Sequence, residues 1–254
     1  MALYGVLGDI HGNLEALQAV LAALDERGVQ RLACVGDLVG YNANPDDCVQ
    51  VLRDRGVLAI AGNHDLIGTG VLGFERCSNK AMHSLKRTRR EMSPAAAEYL
   101  RSLPSHLVLE ERVLLTHGGV RDVQQYMTQP AHLLENVEYL RQDFPGIRIC
   151  FFGHTHEQRV FEVVDGAVRS IPPSRVDLCG QRTYFVNPGS VDASRKRGDK
   201  VAEYMVFDSD ALTLDFARVP YDDASTEARA EAGGYRIQRW RDRLYDVQRR
   251  FIRA

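Results

Sequence analysis

The sequence predicts an α/β fold, and three observations predict it. Apolar, β-prone runs of four to six residues stop abruptly at a glycine or a polar cluster in LYGVLGDIH, LACVGDL, VLAIAGNHD, VLLTHGG and ICFFGHTH. These runs are continuous rather than alternating, as in strands covered on both faces. Helical segments lie between several of them, and strands alternating with helices argue for an α/β arrangement of layers.

The elements follow in order. After the first run, Leu14, Leu17, Leu21 and Leu24 form one apolar stripe over residues 13–27, with Asn13 suited to cap the helix and Gly28 to end it. Residues 66–103 depart from the strand pattern. There, SNKAMHSLKRTRREMSPAAAEYLRSLP reads as two helices, the second begun by Ser93 as N-cap and Pro94 as its first residue. This excursion from the sheet could serve as a helical cap or lid. From residue 158 to 217 the chain alternates and turns often, as antiparallel strands and hairpins do (VVDGAV, YFVNPGS, EYMVFDSDALTLDF). Residues 225–252 read as a basic helix carrying Tyr235, Ile237, Trp240, Leu244, Val247 and Phe251 at three-to-four spacing, a stripe expected to dock on the body. With no repeat, low-complexity tract or linker, residues 1–254 read as a single domain.

Composition bounds the function. A chain of 254 residues, 44% apolar and 26% charged, is that of an ordinary globular protein with room for a real core. A net charge of −2 gives no general attraction to nucleic acid or anionic membrane, so any phosphate affinity must be built locally. Cys34, Cys48, Cys77, Cys150 and Cys179 are odd in number and form no CxxC pair, which reads as thiols in a reducing compartment. The amino-terminal apolar run is too short for a secretory segment, and nothing approaches the ~20 apolar residues of a membrane span; a cytoplasmic protein is expected.

The strand endings carry the chemistry. They supply Asp9 and His11, then Asp37, then Asn63 with His64, then His117, and finally His154 with His156. In open α/β sheets, ligands bind beyond the carboxyl ends of the strands. Five such ends converging would crowd carboxylates and imidazoles into one small volume, at a cost in mutual repulsion and unmet hydrogen bonding. Divalent metals resolve that cost. The candidates are too many for one tetrahedral zinc but suit two ions sharing a carboxylate. The mixed oxygen and nitrogen donors suit manganese, iron, zinc or nickel and do not choose among them; manganese is the leading expectation, with magnesium a further alternative.

GDIHGN, GDLVG, GNHD, THGG and GHTH, in that order, resemble the signature blocks of the calcineurin-like metallophosphoesterase superfamily. The match runs from residue 8 to about 192, where YFVNPGSV is also similar to the small bacterial and archaeal phosphodiesterase branch. The resemblance implies a four-layer αββα sandwich with a dinuclear centre at the strand ends. It implies that Asp9, His11 and His156 hold a first metal, that Asn63, His117 and His154 hold a second, and that Asp37 bridges them. It further implies hydrolysis of a small or nucleotide-like phosphate ester by a metal-bridging hydroxide. His64, paired with Asp37 or Asp65, would then protonate the leaving group.

Other features point less sharply. Asn13 and Asn187 are candidate substrate contacts, though capping accounts for Asn13 and a turn for Asn187 within NPGS. Lys86, Arg87, Arg89 and Arg90 form a phosphate clamp or, more simply, a solvated helix face. Arg195, Lys196 and Arg197 read as a hairpin tip, and His83, His106 and His132 as ordinary residues. Protein phosphatases and diadenosine tetraphosphatases of the superfamily are expected to carry GDxxDRG and GNHE. This chain has Gly36-Asp37-Leu38-Val39-Gly40-Tyr41 and ends the next block with Asp65, which counts against both. His117 is followed by Gly118-Gly119 where the closer branch often has Gly-Ser/Thr-Pro. A phosphodiesterase or phosphomonoesterase is the leading expectation and a dinucleoside polyphosphate hydrolase or protein phosphatase the second. A non-catalytic scaffold of the same fold is the third. The partner is a small phosphate ester, with no membrane and no nucleic acid, and a homodimer remains compatible.

Overall fold

Each apolar run that stops at a glycine is a strand in the computed structural model, which describes residues 2–193, 200–238, 240, 242 and 245. Strands β1 (Leu3–Leu7), β2 (Arg31–Cys34) and β3 (Leu58–Ala59) run parallel, linked through helices α1 (Leu14–Glu26) and α2 (Pro45–Asp54). In α1 the Asn13 side chain accepts the Ala16 N–H, and Gly28 takes a positive φ of 69° just past the end. Strands β11 (Val201–Asp208), β12 (Thr213–Pro220) and β9 (Arg175–Asp177) complete the first sheet in the order β3-β2-β1-β11-β12-β9.

The second sheet has the order β4-β5-β6-β10-β7-β8, from β4 (Leu107–Leu109), β5 (Val113–Leu115), β6 (Ile149–Phe151), β10 (Thr183–Pro188), β7 (Gln158–Val164) and β8 (Ala167–Ile171). Its parallel core is β5-β6-β10. Alternation along the buried strands assigns the layers. Tyr4, Val6, Ala33, Val113, Leu115, Ile149 and Phe151 meet between the sheets. Leu7, Leu32 and Cys34 face outward against Leu17 and Leu21 of α1 and Leu52 of α2. Leu114, Cys150 and Phe185 face Leu133, Val137 and Leu140 of α6 (Pro130–Asp143) on the opposite side. The expected αββα sandwich is observed.

The excursion at 66–103 divides in two. Helix α3 (Asn63–Gly68) and helix α4 (Asn79–Glu91, capped by Ser78) share a small core of Ile67, Cys77, Ala81 and Leu85, packed against Tyr41 and Phe74. Helix α5 (Pro94–Ser102) begins as expected, with Ser93 accepting the Ala96 N–H and proline in the first turn. Its Ala96 and Leu100, however, join the outer layer of the first sheet. Only the α3–α4 half therefore stands apart from the sandwich.

One expectation needs correction. The single helix read over 225–252 is instead α7 (Asp223–Ala232), broken where Gly233 and Gly234 follow, the latter at φ 69°. Past the break the Tyr235 side chain is buried and Trp240 is 58% exposed, so the proposed stripe is not one face; Leu244, Val247 and Phe251 lie outside the described residues. Apolar spacing alone outweighed a glycine pair that ends a helix at little cost. Arg195, Lys196 and Arg197, expected at a hairpin tip, also lie outside the described residues; the strands before and after them, β10 and β11, belong to different sheets. Among the described residues, no helix is long and apolar enough to cross a membrane.

Candidate metal centre

Pairing register brings the carboxyl ends of the parallel strands level. Leu7 sits opposite Cys34 and Cys34 opposite Ala59, while Leu115 and Val186 both sit opposite Phe151. The loops that follow then bond within each sheet and across the two. Asp9 N–H donates to Gly36 O at 3.1 Å and Gly153 N–H to His117 O at 2.8 Å. His154 N–H, from the second sheet, donates to Asp9 Oδ1, from the first, at 3.1 Å.

Two buried groups of donors result. Ligand atoms of Asp9, His11, Asp37 and His156 lie within 4.8 Å of one another, and those of Asp37, His117 and His154 do likewise. Asp37 belongs to both. Asn63 joins the second group, its Oδ1 3.0 Å from His117 Nε2. Second partners orient the rings. His117 Nδ1 lies 2.7 Å from Val35 O and His11 Nδ1 lies 3.3 Å from Val39 O, contacts that require an N–H and turn each Nε2 inward. There His11 Nε2 and His156 Nε2 face each other at 2.9 Å, and Asp9 Oδ1 is 3.3 Å from His156 Nε2.

The backbone is strained to achieve this. Nine non-glycine residues have positive φ among the described residues, and five of them are Asp9, His11, Asp37, His154 and His156. Each costs on the order of 1 kcal/mol, and such strain gathers at functional sites. Close approach demands glycine beside them. A Cβ on Gly62 would lie 2.2 Å from Asp37 Oδ1, so Gly62→Ala is expected to cost about 1–3 kcal/mol in urea unfolding and to weaken metal binding by displacing Asp37. Unchanged stability and unchanged metal affinity would overturn that account.

Electrostatics fit a cation. Burial alone would raise the Asp37 pKa, but the charges of His117, His64 and His11 outweigh it and hold the carboxyl well below the usual range. Burial would lower His117, yet Asp37, with Oδ2 3.2 Å from Nε2, raises it to about 9. The proton drawn onto Nε2 occupies the position a metal ion would take. Carboxylate oxygens, imidazole nitrogens and an amide oxygen on one buried surface are a donor set for divalent metals.

Asp65 serves differently from expectation. Its carboxylate accepts main-chain N–H groups from Gly62 and Asp37 at 2.9 Å, Leu38 at 2.8 Å and Val39 at 3.1 Å, rather than pairing with the His64 ring. Burial and then the Asp37 charge push it up to about 7, against the pull of those amides. It fastens the Asp37 loop to α3. His64 reaches Asp37 through its own N–H, which donates to Oδ1 at 2.7 Å, while its ring packs 4.5 Å from His11 and 4.8 Å from Tyr41.

Asn13 and Asn187 are committed to protein partners. Asn13 caps α1, donates to Asp192 Oδ1 at 3.0 Å and accepts from Thr226 Oγ1. Asn187 donates to Gly153 O at 2.8 Å and accepts from Gly189 N–H at 2.8 Å, bracing the loop that carries His154. The Lys86–Arg90 run is no clamp: Arg89 donates to Ile67 O and Leu72 O, Arg87 pairs with Glu91 and Lys86 sits over Tyr245. Sequence reasoning missed the residues that do face the site. A cavity of about 330 Å³ is lined by Asn63, His64 and His154 together with Tyr41, Arg76 and Tyr126. Arg76 is held there by Asp122 at 2.8 Å and Gln124 O at 2.9 Å, and the Tyr126 ring lies 4.1 Å from that of His154.

Comparison with known proteins agrees with this geometry. The chain is similar to the uncharacterized protein MJ0912 of Methanocaldococcus jannaschii, 32% identical over 231 residues, 87% of this chain and 88% of that protein. It is similar in structure to a metallophosphoesterase from Sphaerobacter thermophilus, with a TM-score of 0.76, 29% identity and coverage of 91% and 94% of the two chains. Hypothetical protein PH1004 from Pyrococcus horikoshii OT3 shares the fold, with a TM-score of 0.72 at 18% identity over 96% and 97% of the chains. Residues 2–211, which span all five strand-end motifs, match the calcineurin-like phosphoesterase superfamily domain; the chain belongs to that superfamily and is a metal-dependent phosphoric ester hydrolase.

Proposed function

We propose that the protein is a dinuclear phosphoesterase acting on a small or nucleotide-like ester, with manganese as the preferred metal. The observation that carries the reading is the sharing of Asp37 between two buried donor groups. On this reading Asp9, His11 and His156 hold one ion, Asn63, His117 and His154 the other, and Asp37 both. When bound, such ions polarise the phosphoryl oxygens and activate water near neutral pH. The protein's own groups do the rest. Arg76, the one arginine or lysine lining the smaller cavity among the described residues, binds a phosphoryl oxygen. His64, lining the same cavity, gives a proton to the departing alkoxide. The α3–α4 half of the excursion acts as a cap, tied by Arg76 to Asp122 and Gln124 O.

The test is direct. Protein freed of metal is assayed with p-nitrophenyl phosphate and bis-p-nitrophenyl phosphate, with Mn²⁺, Ni²⁺, Mg²⁺ or Zn²⁺ restored, and its metal content is measured. Turnover with two ions bound per chain is expected, fastest with Mn²⁺. No turnover of either ester with any metal overturns the reading.

A further inference from the structure

Beside the 330 Å³ cavity lies a larger one of about 890 Å³, and Tyr41, Ser78 and Tyr126 line both. Both volumes are in the range of small-molecule sites. The smaller holds His64, Asn63 and His154 and is suited to the phosphoryl group. The larger contains none of the metal-centre residues. The shared wall is informative: Tyr41 packs on His64, and Tyr126 packs on His154. A group leaving the phosphorus past His64 therefore passes Tyr41 into the larger cavity.

The described lining of that cavity is balanced in charge and rich in aromatic rings. Among the described residues, its basic Lys80, Lys200 and Arg236 are matched in number by the acidic Asp192, Asp223 and Glu227. Arg236 is moreover paired with Glu227 at 2.6 Å. The described lining offers no excess charge to a second phosphate. Tyr221 and Tyr235 add two rings to Tyr41 and Tyr126, and Ile237 adds an apolar wall. Tyrosine faces and edges receive flat rings, and the interleaved polar groups meet their hydrogen-bonding edges.

We propose that the larger cavity receives the departing alcohol of the ester, and that this alcohol is an uncharged, aromatic, hydrogen-bonding group of nucleoside size. The inference rests on the phosphoesterase reading and on His64 lying at the leaving-group side. In the reaction, water forms the new P–O bond and gives up a proton to solvent, the P–O bond to the nucleoside breaks, its oxygen takes a proton from His64, and solvent returns one to His64.

Adenosine 5′-(methyl phosphate) tests it, because its two alkyl esters compete. Hydrolysis past His64 yields adenosine and methyl phosphate; the reverse orientation yields adenosine monophosphate and methanol. Adenosine is expected in at least tenfold excess on chromatography. Lys80→Trp and Ile237→Trp, on two different segments, each fill the larger cavity. Each is expected to lower the ratio of kcat/KM for this ester to that for dimethyl phosphate, whose departing methanol is too small to fill the larger cavity, at least tenfold, and to weaken adenosine binding in calorimetry as strongly. Adenosine monophosphate as the main product, or an unchanged ratio in both variants, overturns the inference while leaving the phosphoesterase reading intact. If no ester turns over, that reading fails; adenosine binding that both variants weaken still upholds the cavity's occupant, and its absence overturns it.

Discussion

Asp37→Asn is expected to reduce bound metal from two ions per chain to one or none after dialysis, and to lower kcat/KM for bis-p-nitrophenyl phosphate at least ~10³-fold, about 4 kcal/mol of transition-state stabilisation. The size follows from its position. Asp37 is 1% exposed, its Oδ2 lies 3.2 Å from His117 Nε2 and 3.8 Å from His11 Nε2, and its Oδ1 accepts the His64 N–H. An amide of the same shape keeps the packing but removes the negative charge from both donor groups at once. Substitutions one shell farther out cost about 10–100-fold in metal affinity, so a shared ligand must cost more. Asp9→Asn is the control. Asp9 belongs to one group only, so that variant should lose one ion and keep the other. A smaller loss from the Asp37 variant than from the Asp9 variant, or two ions retained in the Asp37 variant, would sink the shared-ligand assignment.

The strand-end motifs were legible because everything that defines them is local. An apolar run, a glycine and a polar residue lie within a few positions, and parallel register aligns their ends. The cap of α1 by Asn13 and the start of α5 at Ser93-Pro94 were readable for the same reason. What the sequence did not disclose depends on contacts between distant segments. Tyr126 reaches His154 from a loop beyond Gly119, and Arg76 is aimed by Asp122, 46 residues away. Neither residue type carries a local signal. Asp65 read as a partner for a histidine ring because adjacency was visible and the four converging amides were not. The strands of 158–217 were recognised singly, but alternation does not disclose their division between two sheets, with β10 in one and β11 in the other.

His64→Ala separates proton transfer from metal binding. The link to the centre is made by main chain: His64 N–H donates to Asp37 Oδ1 at 2.7 Å, and alanine keeps that bond. What alanine removes is the ring, 3% exposed, set between His11 and Tyr41 and above Gly40, where a Cβ would approach His64 Nδ1 to 2.4 Å. Two ions should therefore remain bound. The rate should not remain, because an alkoxide leaving without a proton is a poor leaving group, and a positioned acid contributes ~10²–10⁴-fold. Alkyl esters should lose that full factor. A p-nitrophenolate departs without help, so p-nitrophenyl esters should lose far less, and the gap between the two classes measures the proton. If both classes fell by the same factor with metals still bound, the ring would be a packing group beside the centre, and the acid role would belong to another side chain.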